Sequence, residues 1–277
     1  EAVAMWRETA AKADAEGLLR ISRSLSSNGK PDVAFEVLKA RETELKGDAA
    51  FLMALCQAGQ LADKSEESAL LALDLVRMAK TTNDLESALK VSTSILSRTK
   101  EPEQWRKTLS AKEDASVPEL CLLAELTEGA GDSIGSAEIL KKAMTKDGGT
   151  LAASQRVRLH EMRGELTEAI AALREWMAMP GGAKAAQLKK LTDLLEKSGD
   201  SKAALAETEN WKKLAPGDQQ AWMKRVEIFS GEGQPEKAVA ELRRAIAKFG
   251  GDEEMKGRLA EAQLEAGMTQ EAWQLYL

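Results

Sequence analysis

A chain of 277 residues with 43% hydrophobic and 30% charged side chains has a globular composition and the length of one large or two ordinary domains. Its net charge of −6, with acids and bases interleaved rather than in blocks, argues against a nucleic-acid binder, which needs a basic stripe. Its best apolar run, AAFLMAL at 49–55, is far shorter than the roughly 18 residues of a membrane span.

Ala, Leu, Glu and Lys dominate while aromatics make up 4%, so helix is the predicted state throughout. Taken in chain order, the breakers mark where those helices end. Glycines stand at 29 and 47. Breaker-rich stretches follow at 62–65 (ADKS), 81–84 (TTND), 98–102 (RTKEP) and 114–118 (DASVP). From Gly131 the punctuation is regular, with Gly164, Gly199, Gly233 and Gly267 spaced 33, 35, 34 and 34 residues apart. A second set runs in parallel: Gly148-Gly149, Pro180-Gly181-Gly182, Pro216-Gly217 and Gly250-Gly251. Two turn signals in each period of about 34 residues imply two helices per repeat. Gly29 to Gly131 spans 102 residues, three such periods, so the same phase runs through the irregular N-terminal half.

Counted from each turn glycine, apolar or small residues recur five, six, nine, twelve and thirteen positions on, as in Ala238, Val239, Leu242, Ala245 and Ile246. Upstream, the preceding helix is apolar on another face, as in Leu188, Leu191, Thr192 and Leu195. This is helical spacing, and the small residue five after the glycine lets two helices approach closely. Each pair carries apolar surface on both sides, so it needs a neighbour to bury it.

A unit of about 34 residues, with a large residue early in its first helix, Gly at the turn, Ala five later and Pro near the end, resembles the tetratricopeptide repeat (TPR). Trp222, Val226, Phe229, Gly233, Ala238 and Leu242 carry the likeness best, and Pro216 closes the preceding unit. It covers nearly the whole chain, is strongest over 117–277 and degenerates over 49–116. The resemblance implies an all-α, right-handed α–α superhelix, a single solenoid over 1–277. Its repeats are expected at 1–14 (partial), 15–48, 49–82, 83–116, 117–149, 150–184, 185–218, 219–252 and 253–277 (partial). It also implies a segment of a longer bacterial-type TPR protein.

Chemistry is sparse. The one histidine, His160, falls four before Gly164, where the neighbouring repeats place Leu195 and Phe229, so it reads as a packing residue. No metal-ligand spacing surrounds it, and no nucleophile motif of the GxSxG kind exists. GAGDSIG at 129–135 follows a helix and lacks the lysine of a phosphate loop, so it reads as a repeat turn. Cys56 and Cys121 lie in apolar helical surroundings as small buried thiols. Trp176, Trp211 and Trp222 hold core positions, whereas Trp6, Trp105 and Trp273 have no place in the pattern. No catalytic, cofactor or metal site is expected, and the chain is read as a non-enzyme.

In tetratricopeptide proteins the first helix of each pair lines the concave groove, and the resemblance implies the same here. Glu125, Arg158, Asp193, Glu227 and Glu261 stand six before their glycines, an acidic rail interrupted by one arginine, with Lys189, Lys224 and Arg258 beside it. Two readings stand open. One is pairing within each helix, Lys189 with Asp193, Lys224 with Glu227 and Arg258 with Glu261. The other is a charged groove that selects a partner of basic or mixed charge. The lysine–asparagine clamp of chaperone-binding members is not expected, because Asn28, Asn83 and Asn210 fall at turns or on second helices.

The function expected is a non-catalytic scaffold that binds a peptide or partner protein domain along the groove. Two alternatives stand beside it: a substrate-positioning segment of a larger enzyme, and a helical-repeat RNA binder, which the acidic charge disfavours. No membrane span and no nucleic acid are expected. The chain opens at Glu1 without a methionine or signal-peptide pattern, which reads as a trimmed segment, so cytoplasm and periplasm are not distinguished. Val3 and Trp6 at one end, and Ala272, Trp273, Tyr276 and Leu277 at the other, would face repeats that are not there. End-to-end self-association through Trp273 and Tyr276 is therefore expected.

Overall fold

The computed structural model describes residues 2–181 and 184–276, with side chains from 4 to 181 and from 184 to 275. Expectations about Gly182, Leu277 and the side chains of Val3 and Tyr276 lie outside the described residues. The chain forms two compact units, Glu1–Arg156 and Val157–Leu277. Among the described residues there is helix and turn but no strand.

The first unit contains α1 (Ala2–Lys12), α2 (Ala15–Ser27), α3 (Pro31–Lys39), the single turn α4 (Glu42–Leu45), α5 (Ala49–Leu61), α6 (Ser65–Arg77), α7 (Thr82–Leu96), α8 (Pro102–Ser110), α9 (Val117–Gly129) and α10 (Ser133–Met144). Helix α11 (Gly149–Arg163) carries the chain into the second unit. There follow α12 (Leu166–Ala178), α13 (Ala185–Lys197), α14 (Ser201–Leu214), α15 (Gln219–Gly231), α16 (Pro235–Phe249), α17 (Glu253–Glu265) and α18 (Thr269–Tyr276). Helices adjacent in sequence pack together, as α13 on α14, α15 on α16 and α16 on α17 do in the second unit. This is an all-α fold of repeated helix–turn–helix pairs.

The turn glycines explain themselves through their backbone. Gly199 has φ +82°, the left-handed region that a Cβ disfavours. In that conformation the Gly199 N–H donates to Glu196 O at 2.9 Å and the Asp200 N–H donates to Leu195 O at 2.9 Å, which satisfies two otherwise orphaned helix-end carbonyls. The Asp200 carboxylate then accepts from the Ala203 N–H at 2.9 Å, so one residue closes a turn and caps the next helix. In the degenerate region Asp63, one period after Gly29, takes the same left-handed conformation with φ +56°. Its following Lys64 N–H donates to Gly59 O at 2.8 Å. Aspartate is among the few residues with a side chain that tolerates this backbone. The phase does lapse at Ser97, which stays right-handed at φ −70°, and the link to Pro102 contains no left-handed residue.

Close approach between helices rests on the small residues. Ala169, Ala204, Ala238 and Ala272, each five after a turn glycine, have no exposed surface, and Ser136 matches them. Ala124, Thr192 and Ala260 are equally buried in the middle of first helices, and Ser22 is nearly so. Around Ala238 lie Val226, Phe229, Val239, Leu242, Leu259 and Ala262, contributed by α15, α16 and α17. A larger side chain there would force the three helices apart. Ala238→Leu is expected to cost about 1–3 kcal/mol, read as a lower urea midpoint with an unchanged slope.

Candidate partner-binding face

The charges on the first helices of the second unit (α11 beyond Val157, α13, α15 and α17) are tied from one helix to the next. Lys190 Nζ of α13 reaches Glu161 of α11 at 2.6 Å. Lys224 Nζ of α15 reaches Asp193 and Glu196 of α13 at 2.9 and 2.7 Å. Arg258 Nη1 of α17 reaches Glu227 of α15 at 3.4 Å. Lys189 Nζ donates instead to Gln220 Oε1 at 2.9 Å. The result is a ladder of ion pairs running across successive helices.

This corrects the reading of pairing within each helix for two of its three pairs, Lys189 with Asp193 and Arg258 with Glu261, and keeps the third, Lys224 with Glu227. Among the described residues, Lys189 makes no ion pair with Asp193, and Arg258 makes none with Glu261. Lys224 does touch Glu227 three residues on, but at 3.7 Å, the longest of its three contacts. Arg258 pairs within its helix to Glu254 at 3.1 Å, not to Glu261. The physical reason lies in burial. The Lys224 side chain is only 20% exposed, and in that setting a carboxylate on the neighbouring helix is worth more than the few tenths of a kcal/mol of an exposed intrahelical pair. Burial alone would lower the Lys224 pKa, but Glu196 and Asp193 outweigh it and raise it above the ordinary lysine range.

The remaining groove candidates are Arg158, Glu125 and Glu261. Arg158 Nη1 donates to Met162 Sδ, one turn along α11, at 3.0 Å. In the first unit Gln155 Nε2 donates to Glu125 Oε1, so a neutral amide takes the place that a lysine or arginine holds further along. Glu261 is exposed and makes no ion pair among the described residues.

Two buried carboxylates had no place among the groove candidates. The Glu119 side chain is 2% exposed. It accepts from Arg77 Nε at 2.7 Å, from Lys112 Nζ at 3.0 Å, and from both the backbone and the hydroxyl of Ser116 at 2.9 Å. Burial pushes its pKa up, but the Ser116 N–H, Arg77, Lys112 and the Ser116 hydroxyl together bring it down to about 2. In the second unit Glu241 is 2% exposed and pairs with Lys212 at 2.6 Å, Arg244 at 3.4 Å and Arg225 at 3.7 Å. Lys212 Nζ also lies 3.5 Å from the centre of the Trp222 ring. This cluster ties α14, α15 and α16 together from within. Its geometry is that of structural ion pairing.

His160 holds the packing place expected of it. Its side chain is 13% exposed and its Nδ1 lies 2.7 Å from Glu165 Oε2, a contact that lowers the Glu165 pKa. Cys56 and Cys121 are both buried, and burial pushes the Cys56 thiol up to about 12, which leaves it protonated and unreactive. Trp176 and Trp211 are buried, Trp222 is partly so, and Trp105 Nε1 donates to Thr99 Oγ1 at 3.0 Å. Among the described residues no group of three or more His, Cys, Asp or Glu could hold a metal ion, and no helix is long and apolar enough to cross a membrane.

No protein-family model matches the sequence, and no curated protein matches it either. Among solved structures the chain is similar to a tetratricopeptide repeat protein from Parabacteroides merdae. That similarity has 17% identity and a TM-score of 0.39, over 90% of this chain and 98% of that one. It is also similar to YrrB, described as a TPR protein with an unusual peptide-binding site, at 14% identity and a TM-score of 0.42, over 62% of this chain and 88% of that one. The turn glycines, the buried alanines five residues beyond them and the paired helices they join give this chain an all-α helical-repeat fold that resembles the tetratricopeptide repeat.

Proposed function

We propose that the chain is a non-catalytic interaction scaffold that takes a peptide or partner domain of mixed or basic charge along the first helices of the second unit. The observation that carries this reading is the ladder from Glu161 to Arg258. Cross-helix pairs hold both signs of charge at fixed positions. A partner that reads them meets groups already ordered, and so avoids part of the entropic cost of immobilising long side chains. Fixed charge patterns of this kind favour selection and encounter rate more than raw affinity. Asp193, Lys224, Glu227 and Arg258 form the centre of the face, with Lys189 beside them. Glu125, Arg158 and Glu261 are its outlying members.

Removing a rung would confuse lost binding with lost stability, so the test inverts one. In the double variant Glu227→Arg with Arg258→Glu the pair can re-form with its signs exchanged. The exchange also sets a guanidinium beside Lys224 and a carboxylate beside Glu254; the second costs about 0.5 kcal/mol and the first, at the 20% exposed lysine, about 1 kcal/mol. The expected result is a thermal midpoint within a few degrees of the parent and at least a tenfold loss of affinity for any partner captured by the parent chain. Unchanged affinity in the folded double variant would move the binding surface elsewhere.

A further inference from the structure

In the second unit the second helices of successive pairs are tied to one another. Arg243, ninth residue of α16, pairs with Glu271, third residue of α18. Lys212, twelfth in α14, pairs with Glu241, seventh in α16, at 2.6 Å. In the first unit α8 opens on Pro102-Glu103 as α16 opens on Pro235-Glu236, which puts Leu109 at the place of Leu242. On that alignment neither tie is present between α8 and α10. Ser110 stands ninth in α8 and Gly135 third in α10, while α8 ends before a twelfth residue and Ile139 stands seventh in α10. Trp105 takes the place of the fully buried Ala238, and an indole cannot enter the space that a methyl group fills there.

The result is an open groove of about 620 Å³, floored by Leu123 and Thr127 of α9. Ser110, Gly135 and Ile139, the residues at the lost ties, all line it. Of the charges around it, Arg106 is held by Glu103, and Asp132 accepts from the Gly135 N–H at 2.8 Å. Lys107 on the α8 rim and Glu138 on the α10 rim are exposed and make no ion pair among the described residues. Ile134, one turn before Glu138, is 78% exposed, the most of any large apolar side chain among the described residues. A partly apolar groove between one basic and one acidic rim complements an amphipathic helix with acids along one edge of its apolar stripe and bases along the other. We propose that this groove docks such a helix from a partner protein, with its carboxylate at Lys107, its base at Glu138 and its apolar stripe over Ile139 and Ile134. The groove is built by α8, α9 and α10 alone, so the Glu227/Arg258 exchange leaves it intact.

The probes are three fluorescein-labelled, lactam-stapled helical peptides of about 18 residues, or five turns. All share one leucine stripe, and its two edges are acid and base, both acid, or both base. Fluorescence anisotropy with the intact 277-residue chain should show saturable binding of the mixed peptide, several-fold tighter than of the other two. In the Lys107→Glu protein the peptide with two basic edges should become the tightest, and in Glu138→Lys the one with two acidic edges. Ser110→Trp, which plugs the groove, should weaken the mixed peptide at least tenfold. All three positions are exposed, so circular dichroism should show the variants as helical as the parent. Absence of saturable binding up to about 1 mM peptide, one ranking of the peptides in parent and rim variants alike, or unchanged binding by Ser110→Trp would each overturn the proposal. So would a concentration-dependent dimer in light scattering that Ser110→Trp abolishes, because the groove would then belong to a second copy.

Discussion

Glu119→Ala is expected to lower the thermal midpoint of the protein by about 6–12 °C, corresponding to about 3 kcal/mol in a unit of this size. The carboxylate is buried and gathers Arg77, Lys112 and the Ser116 backbone and hydroxyl onto one residue. Removing it deletes a helix cap, worth about 1 kcal/mol, leaves Lys112 without its carboxylate and leaves Arg77 with Asp74 alone. Those cations set the magnitude. Arg77 and Lys112 are 44% and 36% exposed, so they recover part of their hydration and hold the loss to the lower end of the range for a broken buried pair. The pH dependence carries the same information. The folded pKa, about 2, lies below the ordinary value of 4.5, so the contribution is fully present above pH 4.5 and is lost as pH falls toward 2. Over that window the parent should lose about 3 kcal/mol that the Glu119→Ala protein has already lost. The check is a pair of urea titrations at pH 7 and pH 3. An equal gap between parent and variant at both pH values would contradict the ion-pair account.

The second large effect is expected at Trp211→Ala, about 4 kcal/mol or a fall of about 15 °C in the thermal midpoint. The indole is 1% exposed and packs with Leu188 and Ala221, against partly buried Met177 and Trp222, so it joins α13, α14 and α15. Its Nε1 donates to Asp218 Oδ2 at 2.9 Å while the other oxygen of Asp218 caps α15. Trp211→Phe separates the two contributions. It retains most of the packing and forfeits the hydrogen bond, worth about 1 kcal/mol, plus a little volume. Calorimetry of the two variants should therefore place Phe much nearer the parent than Ala. Equal losses would mean that the hydrogen bond, and not the packing, holds this junction.

The turns were legible because their chemistry is local. A left-handed backbone after a helix favours glycine, and that preference is written at Gly131, Gly164, Gly199, Gly233 and Gly267. Asp63 performs the same turn without the glycine, so only its distance from Gly29 could reveal it. The ladder was half visible. Its charged residues stand out on the first helices, but bases and acids three or four apart suggest intrahelical pairs, and the true partners lie about 30 residues away. Comparing one repeat's acid with the next repeat's base would have exposed the register at Asp193 and Glu227. Glu119 left a trace as the S-x-x-E capping pattern with Ser116. Nothing local told of Arg77, 42 residues earlier. Glu241 left no trace. A glutamate eight residues beyond a turn glycine looks like any solvated helix charge until three cations from α14, α15 and α16 are folded around it.

A partner that binds along the first helices of the second unit, α11, α13, α15 and α17, should protect their backbone amides. Backbone hydrogen exchange of the intact chain with and without a captured partner tests this most directly, because exchange reports which helices a partner protects. Slowed exchange is expected in 157–163, 185–197, 219–231 and 253–265, centred on Asp193, Lys224, Glu227 and Arg258, with little change in α12, α14 and α16. Protection confined to α12, α14 and α16, with the first helices unchanged, would contradict this expectation.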